Sequence, residues 1–353
     1  MGIKICLITP TMKQGGMERV ISILANYLVS KGIKVYIICL ISGEVAYELD
    51  SRVQIVAPRK KYRGGIYGKL LTLFFLCQQL RSISPTSSLS FSEIFNPLSV
   101  IAAHVTRNKC YISNRSSPYR TNSFVDRVIS KATYPFADGL IVQTHVSKQA
   151  ASEKRLNKNI VAIPNPLKCF DDKGDTEKKN LVVSVGRLVK SKSFDELIDI
   201  FEKADDKKEW HLVILGDGPE RANLGKKIAE MRLQHRVLLK GAVDDVDRYL
   251  YEAKIFAFTS KSEGFPNALS EAIAAPLPVI AYDCIAGPSE MISDGQNGYL
   301  IELNNASLFE EKLHLLMQSP CLREQFVSSF RDYRQRLSQK EICDTYLNFI
   351  LDK

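Results

Sequence analysis

The residues best suited to chemistry are two carboxylates, Glu263 and Glu271, which are separated by seven residues. The apolar run 255–258 before them is typical of a buried parallel strand. Apolar residues at 268, 269, 272 and 273 recur with helical spacing, so we expect a helix to carry Glu271. Glu263 then lies in the loop between the strand and the helix.

This loop has the features of an anion site. Gly264 permits close approach of the backbone, and Pro266 or Asn267 is expected to begin the helix. The free N–H groups and the positive dipole end of a helix N-terminus suit a phosphate. At about 100° per residue, Glu271 falls on the flank of the helix, within reach of the same ligand. The alternative is a plain turn and helix with two solvated carboxylates.

Two carboxylates beside a phosphate site match a nucleotide sugar, whose hydroxyls need acceptors and whose diphosphate needs donors. The stretch EGFPNALSEA is similar to the EGFPxxxxEA signature of retaining glycosyltransferase family 4. The resemblance implies that Glu263 belongs to the catalytic centre and that both glutamates bind substrate during a retaining transfer. It also implies a donor site lined by Gly264, Phe265, Pro266, Asn267, Ala268 and Glu271.

Length and pattern indicate an α/β chain of two domains, because 353 residues exceed the usual size of one domain and strands alternate with helices in both halves. With the family resemblance, this predicts the GT-B architecture, in which two Rossmann-like, doubly wound domains face a central cleft. We place an acceptor-binding domain at 1–170 and a nucleotide-sugar-binding domain at 171–335. In the family, a final helix, here 336–353, crosses back to the first domain.

Two cations follow the first predicted strand of the second domain, 181–185. Arg187 and Lys192 are five residues apart and are able to hold a diphosphate from two sides. The segment resembles the family pattern GRLxxxKG, with Ser193 in place of the final glycine. By the same resemblance, Gly216 belongs to a GxGP turn, and Val243 follows the strand beside which the family holds the nucleotide base.

No Asp-x-Asp pattern stands at a strand end in the context of a metal-bound diphosphate. We therefore expect no metal ion, and we expect the cations of Arg187 and Lys192 to stabilise the departing diphosphate instead. We also expect no cofactor, since the nucleotide sugar is a substrate.

The first half begins with a strand, a glycine loop and a helix. The loop, which contains Gly15 and Gly16, lacks the G-x-G-x-x-G fingerprint, and this disfavours a dinucleotide-dependent dehydrogenase. It resembles the GGxE segment of the family, which implies that these glycines approach the donor diphosphate. A plain tight turn is the alternative.

Two further candidates follow predicted strands of the first half, 109–113 and 139–143, at the strand ends where parallel sheets bind ligands. Family members often carry Ser-Glu-His at the first position, but this chain has Ser113, Asn114 and Arg115. We expect Arg115 to contact a phosphate or the leaving group. His145 is placed on the same acceptor or phosphate side, with a structural role as the alternative.

Charge is unequal between the halves: residues 1–170 carry a net +15 and residues 171–353 a net −6, within a total of +9. This asymmetry favours an anionic partner for the first half, either a membrane surface or a phosphorylated acceptor. The basic cluster 59–63 precedes the apolar segment 66–76, which is interpreted either as a core helix or as a helix in an anionic membrane interface. Nucleic acid is disfavoured because no helix-turn-helix, zinc finger or aromatic-basic RNA motif is present.

The compartment is inferred from what the chain contains. Eight cysteines show no C-x-x-C or Cys/His ligand spacing, which favours reduced thiols. No signal peptide is evident, and no run approaches the ~20 apolar residues of a membrane span. We expect a cytoplasmic protein that is peripheral on the inner face of the cytoplasmic membrane.

These patterns together predict a metal-independent, retaining glycosyltransferase. The resemblance implies a hexose or N-acetylhexosamine moved from a nucleotide-diphosphate sugar, with UDP favoured, to a lipid-linked, polyprenyl-diphosphate saccharide. The segment 133–140 resembles enzymes that extend bacterial lipid-linked oligosaccharides with N-acetylhexosamine. A nucleotide-sugar epimerase on the same fold and a non-catalytic sugar-nucleotide or membrane-binding module remain as alternatives. Acceptor-dependent release of nucleoside diphosphate separates the three.

Overall fold

The computed structural model describes residues 2–13, 15–58, 65–118, 123–168 and 177–352. The chain divides into two compact units. Unit 1 comprises Met1–Pro166 together with Ser338–Lys353, and unit 2 comprises Leu167–Leu337. Each unit contains one sheet of parallel strands.

The sheet of unit 1 has the strand order β3-β2-β1-β4-β5-β6-β7. Its strands are β1 (Lys4–Thr9), β2 (Lys34–Cys39), β3 (Gln54–Val56), β4 (Ser87–Ser90), β5 (Cys110–Ser113), β6 (Gly139–Val142) and β7 (Ile160–Ala162). The chain runs from β1 toward one edge and then returns to β4 on the other side of β1. The direction of winding therefore reverses between β1 and β4.

The sheet of unit 2 has the strand order β10-β9-β8-β11-β12-β13. Its strands are β8 (Leu181–Val185), β9 (His211–Leu215), β10 (Val237–Gly241), β11 (Ile255–Phe258), β12 (Val279–Tyr282) and β13 (Tyr299–Ile301). Here the winding reverses between β8 and β11. Such reversal points create a crevice at the carboxyl ends of the strands, where doubly wound domains bind ligands.

Helices connect the strands. They are α1 (Gly16–Ser30), α2 (Gly65–Ile83), α3 (Asn96–Thr106), α4 (Phe124–Thr133), α5 (His145–Glu153), α6 (Phe194–Ala204), α7 (Arg221–Glu230), α8 (Val246–Glu252), α9 (Asn267–Ala274), α10 (Pro288–Met291), α11 (Ala306–Gln318), α12 (Pro320–Ser329), α13 (Arg331–Arg336) and α14 (Gln339–Ile350). Strands β4, β6, β11 and β12 are wholly buried, as expected where helices cover a parallel sheet.

The last helix, α14, belongs to unit 1 and packs against α1. The Tyr27 hydroxyl of α1 donates a hydrogen bond of 2.6 Å to the Asp344 carboxylate of α14. The Tyr111 ring of β5 packs edge-on against Phe349, with ring centroids 5.4 Å apart. The C-terminal segment is therefore part of the core of unit 1.

The predicted fold class, α/β with two doubly wound Rossmann-like domains of the GT-B type, is confirmed. The predicted strand 255–258 and a helix beginning at Asn267 are both present. The apolar segment 66–76 forms most of α2, whose inner side is buried. The basic cluster 59–63 and most of the polar segment after 168 lie outside the described residues. Within the described ranges, no helix is long and apolar enough to cross a membrane.

Candidate active site

Two loops of unit 2 meet where the winding of the sheet reverses, one after β8 and one after β11. The Thr259 hydroxyl, just beyond β11, donates to the backbone carbonyls of Lys192 (3.0 Å) and Ser193 (3.2 Å). The Lys261 N–H donates to the Ser191 carbonyl at 2.8 Å. These bonds fix the two loops side by side, so that side chains distant in sequence share one site.

Lys192 and Glu263 form an ion pair at this junction, with 2.5 Å between Nζ and Oε1. Their side chains are only 18% and 13% exposed, so the pair is shielded from most of the solvent. The Lys192 ammonium also lies 5.4 Å from the centre of the Phe258 ring, which adds a cation–π contact. Two of the three residues that the sequence assigns to catalysis, Lys192 and Glu263 but not Arg187, are thus in direct contact.

Arg187 follows the same strand as Lys192 but is exposed. Among the residues that the structure describes, its guanidinium has no hydrogen-bonding or ionic partner. Since Glu263 balances the charge of Lys192, the remaining positive charge of this loop comes from Arg187 and Lys190, both exposed. A guanidinium in this setting is ready to bind a diphosphate through two parallel hydrogen bonds.

Gly216, the first residue after β9, allows the loop that it begins to contact the loop after β8. Its φ of +130° lies in a region that side chains disfavour, and an added Cβ would stand 2.0 Å from the Gly186 carbonyl oxygen. Its N–H donates to the Gly241 carbonyl at 2.8 Å. Val243, two residues beyond β10, is half-buried against the core of this side of the sheet. The three loops after β8, β9 and β10 are therefore joined through glycine contacts.

The segment from Glu263 to α9 follows the predicted strand, loop and helix. Phe265 and Pro266 are buried, and they hold the loop against the core. Among the described residues, no side chain caps the N-terminus of α9. Glu271 lies on α9, is half-buried and has an interaction partner of its own.

Cys284, in the loop after β12, lies close enough to this pair to interact with it electrostatically. The pKa of the Cys284 thiol is raised to about 12, chiefly by burial and in part by the Glu263 carboxylate, while Lys192 opposes the shift. The parallel bridge between Ser262 and Ile285 brings the two loops together. The thiol is therefore protonated at neutral pH.

The glycine loop of unit 1 is held by a residue that the sequence did not single out. The Tyr47 hydroxyl accepts from the Gly15 N–H at 3.0 Å and donates to the Gly15 carbonyl at 2.7 Å. An added Cβ on Gly15 would clash with a carboxylate oxygen of Glu18, so a larger residue here would require the flexible Glu18 side chain to shift. Burial raises the pKa of Glu18, which Arg115 and a backbone hydrogen bond partly offset. Gly16 is the first residue of α1.

Arg115 is engaged inside unit 1. Its guanidinium donates to the Asn165 side chain and to the Tyr346 hydroxyl, the latter at 3.3 Å, and stacks 5.4 Å from the centre of the Phe91 ring. Glu93, just beyond β4, accepts from the backbone N–H groups of Arg115 (2.5 Å) and Ser116 (2.7 Å). These contacts hold the loop after β5. His145 is the exposed first residue of α5.

A cavity of about 500 Å³ lies in unit 1 among α4, α5 and the loop after β5. Asn114, Ser116, Ser117 and Tyr134 are among the polar residues that line it. Arg127, Lys131, Lys154 and Arg155 supply positive charge to its walls, against Glu93 and Glu153. The cavity suits a ligand that has both polar groups and negative charge.

Within the described ranges, no group of three or more His, Cys, Asp or Glu side chains is arranged to hold a metal ion. The absence of a metal requirement stays a prediction.

Comparison with known proteins identifies the family. The family model for "Glycosyl transferases group 1" matches residues 168–332. The amylovoran biosynthesis glycosyltransferase AmsD of Erwinia amylovora is 30% identical over 335 residues, which make up 92% of each chain. The chain belongs to the group 1 glycosyltransferases.

Two further likenesses extend over nearly the whole of this glycosyltransferase. The GalNAc-alpha-(1->4)-GalNAc-alpha-(1->3)-diNAcBac-PP-undecaprenol alpha-1,4-N-acetyl-D-galactosaminyltransferase of Campylobacter jejuni is 25% identical over 358 residues, covering 99% of this chain and 98% of that protein. The solved structure of Anabaena Alr3699/HepE in complex with UDP matches with a TM-score of 0.83 and 16% identity, over 99% of this chain and 100% of that chain. The latter likeness concerns the fold.

The family match spans the residues that the site of this glycosyltransferase brings together, including Arg187, Lys192 and Glu263. Sequence reasoning missed Thr259, Tyr47 and Glu93, which hold the loops. Each of the three is polar and lies in a loop beyond a strand, a position that marks it as a candidate site residue. Its partner, however, is distant in sequence. Only the folded chain shows what these residues bind.

Proposed function

We propose that this glycosyltransferase moves a hexose or N-acetylhexosamine from a UDP-sugar to a saccharide carried on polyprenyl diphosphate, with retention of the anomeric configuration. The reaction would serve bacterial polysaccharide or O-antigen-type biosynthesis. The observation that carries the proposal is the Lys192–Glu263 ion pair, in the loop that also holds the exposed Arg187, where the winding of the unit 2 sheet reverses. Doubly wound domains in general bind ligands at such a point.

The proposed donor site uses each group for what it does chemically. Arg187 and Lys192 bind the diphosphate, and the N-terminal N–H groups of α9 supply further donors. Glu263 and Glu271 accept hydrogen bonds from sugar and ribose hydroxyls. Val243 lies beside the base. UDP is favoured because the solved structure of HepE holds UDP.

In the proposed step, the bond between C1 of the donor sugar and the diphosphate oxygen breaks. A bond between C1 and the acceptor hydroxyl oxygen forms on the same face of the ring, and the hydroxyl proton passes to the leaving diphosphate. Negative charge grows on that diphosphate during bond cleavage. Preorganised cations at this position lower the barrier, and loss of one such donor typically costs ~10²–10³-fold in turnover.

The acceptor side is assigned to unit 1. Its half of the sequence carries the net charge of +15, and its cavity of about 500 Å³ has cationic walls, which suits a diphosphate. We also place Arg115 and His145 on this side. Two relatives support a polysaccharide or lipid-linked acceptor by their names, one in amylovoran biosynthesis and one naming a PP-undecaprenol saccharide.

The deciding experiment is a panel of UDP-sugars incubated with a polyprenyl-diphosphate sugar, with release of UDP as the readout. One donor is expected to give UDP only when the acceptor is present, and NMR of the product is expected to show the anomeric configuration of the donor. Conversion of the donor without acceptor would indicate an epimerase. Donor binding without turnover would indicate a non-catalytic module, and an inverted product would contradict retention.

Metal independence is tested in the same assay. Since the proposed cations are those of Arg187 and Lys192, we expect transfer to persist in excess chelator. Loss of transfer that magnesium or manganese restores would overturn this part of the proposal.

A further inference from the structure

The outer side of three helices in unit 1 carries an unusual amount of exposed apolar surface. The described residues include sixteen large apolar side chains that are exposed, and eleven of them lie between 66 and 136. They are Ile66, Tyr67, Leu70, Phe74, Ile94, Ile101, Val105, Phe124, Val125, Val128 and Phe136. Single exposed apolar residues are ordinary, but a concentration of this kind marks an interaction surface.

These residues share one side of the sheet. From β3 through β4 and β5 to β6, the strands advance in one direction, and parallel crossovers are right-handed, so α2, α3 and α4 cover the same side. In agreement, α3 packs against both α2 and α4. Nine of the eleven side chains therefore belong to one layer of helices, whose outer surface we call the α2–α4 face, while Ile94 lies just before α3 and Phe136 just after α4.

Helix α2 is divided lengthwise. At about 100° per residue, Ile66, Tyr67, Leu70 and Phe74 fall within a sector of about 100°. The buried residues of the helix, from Gly68 to Ile83, fall on the opposite side. The four outer side chains are 80%, 72%, 58% and 71% exposed, respectively. A helix that is apolar on both sides needs a second apolar environment beyond its own core.

Helix α4 has the pattern of a helix that lies in a membrane interface. None of its residues is buried. Phe124, Val125 and Val128 form an apolar stripe, Arg127 and Lys131 flank that stripe, and its one acidic residue projects from the other side at about 100° per residue. Cations beside an apolar stripe are what anionic lipid headgroups and acyl chains together require.

Charge on the rest of the face is of the same sign. Lys69 flanks the apolar sector of α2, and neither α2 nor α3 contains an aspartate or glutamate. Basic groups near an anionic leaflet each favour binding, whereas two copies of such a face would repel one another. We propose that the α2–α4 face docks on an anionic lipid bilayer.

This proposal rests on the proposed function in one respect, because a lipid-linked acceptor is the reason for the enzyme to reach a bilayer. It places the docking surface on the layer of α2, α3 and α4, a wider surface than the segment 59–76 that the sequence indicated.

The test is co-sedimentation of the full-length protein with vesicles of phosphatidylcholine containing about one-third phosphatidylglycerol, compared with vesicles of phosphatidylcholine alone. The wild type is expected to bind the anionic vesicles and to lose binding as salt rises, because surface charges are screened over roughly 8 Å at physiological ionic strength. Binding that does not depend on lipid charge, or no binding to either vesicle, overturns the proposal.

The key variant is Phe74→Gln combined with Val128→Gln, one outward substitution on each helix. Burial of a large apolar side chain contributes roughly tenfold or more to an association, so binding is expected to fall at least ~10²-fold. Lys69→Glu should weaken binding mainly at low salt. The matched control is Leu315→Gln on α11 of unit 2, which is also exposed and apolar and should bind like the wild type.

Two further measurements are the oligomeric state of the protein and its transfer of sugar to a water-soluble acceptor analogue. If the wild type is a dimer that the double variant dissociates, a second copy covers the face and the bilayer proposal is wrong. If the double variant binds vesicles as tightly as the wild type, the face is also excluded. Transfer to a water-soluble acceptor analogue should persist in the double variant. If the wild type does not transfer sugar to this analogue, the proposed function is contradicted, and the vesicle experiment still tests the docking proposal by itself.

Discussion

The Lys192–Glu263 ion pair allows the structural and chemical roles of a site lysine to be separated. We consider Lys192→Met, Glu263→Gln and the double variant, each measured for stability and for turnover. The side chains are 18% and 13% exposed and the Nζ–Oε1 distance is 2.5 Å, so the pair lies between an exposed and a fully buried ion pair. Exposed pairs contribute about 0–1 kcal/mol, and breaking a buried pair costs about 3–5 kcal/mol.

We therefore expect either single variant to lower the free energy of unfolding by about 1–3 kcal/mol, since each leaves a half-buried partner without its counter-group. The double variant should recover part of this loss, with a coupling free energy of about 1–3 kcal/mol. Urea unfolding followed by the fluorescence of Trp210 suits the measurement. Trp210 is the only tryptophan of the chain and is buried in unit 2, the unit that contains the pair.

Turnover should behave differently from stability. Lys192→Met removes a cation that is proposed to stabilise the departing diphosphate, so turnover should fall by ~10² or more, equivalent to about 2.7 kcal/mol of barrier. The double variant should remain as slow, because restoring stability does not restore the charge. The assay is acceptor-dependent release of UDP under saturating donor.

Two outcomes would refute this reasoning. Near-normal turnover in Lys192→Met would remove the lysine from the chemistry. Recovery of turnover in the double variant would show that Lys192 acts only by balancing Glu263. The matched control is Lys227→Met, which breaks the Lys227–Asp199 pair, also 2.5 Å long and in unit 2, and should leave turnover within about twofold.

Three further predictions concern other residues. Arg187→Ala should lower turnover by ~10² or more while leaving the unfolding midpoint unchanged, because the side chain is exposed and has no partner among the described residues. A normal rate of UDP release would show that Arg187 does not stabilise the departing diphosphate. Asp205→Ala should lower the free energy of unfolding by about 3–5 kcal/mol, since Asp205 is 3% exposed, pairs with Arg236 and accepts from the backbone N–H of Trp210 at 2.9 Å. A decrease of less than about 1 kcal/mol, measured by urea unfolding, would contradict this role. Cys321, which is exposed, should react with iodoacetamide at pH 8 well before Cys284, whose pKa is raised to about 12 by burial; mass spectrometry of timed samples would expose the opposite order.

Local patterns in the sequence were sufficient for the elements around the site. The apolar run 255–258 and the spacing after Ala268 predict the strand and helix that the structure contains, because burial on both sides of a sheet and on one side of a helix leaves distinct periods. The loop between them, with Glu263, follows directly from those two elements.

Local sequence patterns do not predict which residues a charged side chain contacts. The sequence predicts that Arg115 contacts a phosphate or the leaving group, and it does not indicate that the guanidinium also contacts Asn165, 50 residues away, and Tyr346, 231 residues away. A long, flexible cation can reach many positions, and its neighbours depend on where distant segments pack. Tyr47 is a second example: its contact with the Gly15 backbone depends on how segments 32 residues apart pack together, which the sequence pattern does not indicate.

The sequence by itself determined that this chain is α/β, that its elements alternate, and which loops carry Arg187, Lys192, Glu263 and Glu271. Tertiary structure alone decided that β8 lies beside β11, and therefore that Lys192 meets Glu263, 71 residues along the chain. It also decided that α2, α3 and α4 share one outer face. The sequence pattern does not determine strand order, because the same apolar side chains are buried whichever order the strands adopt. Only the packed sheet determines which strand ends become neighbours.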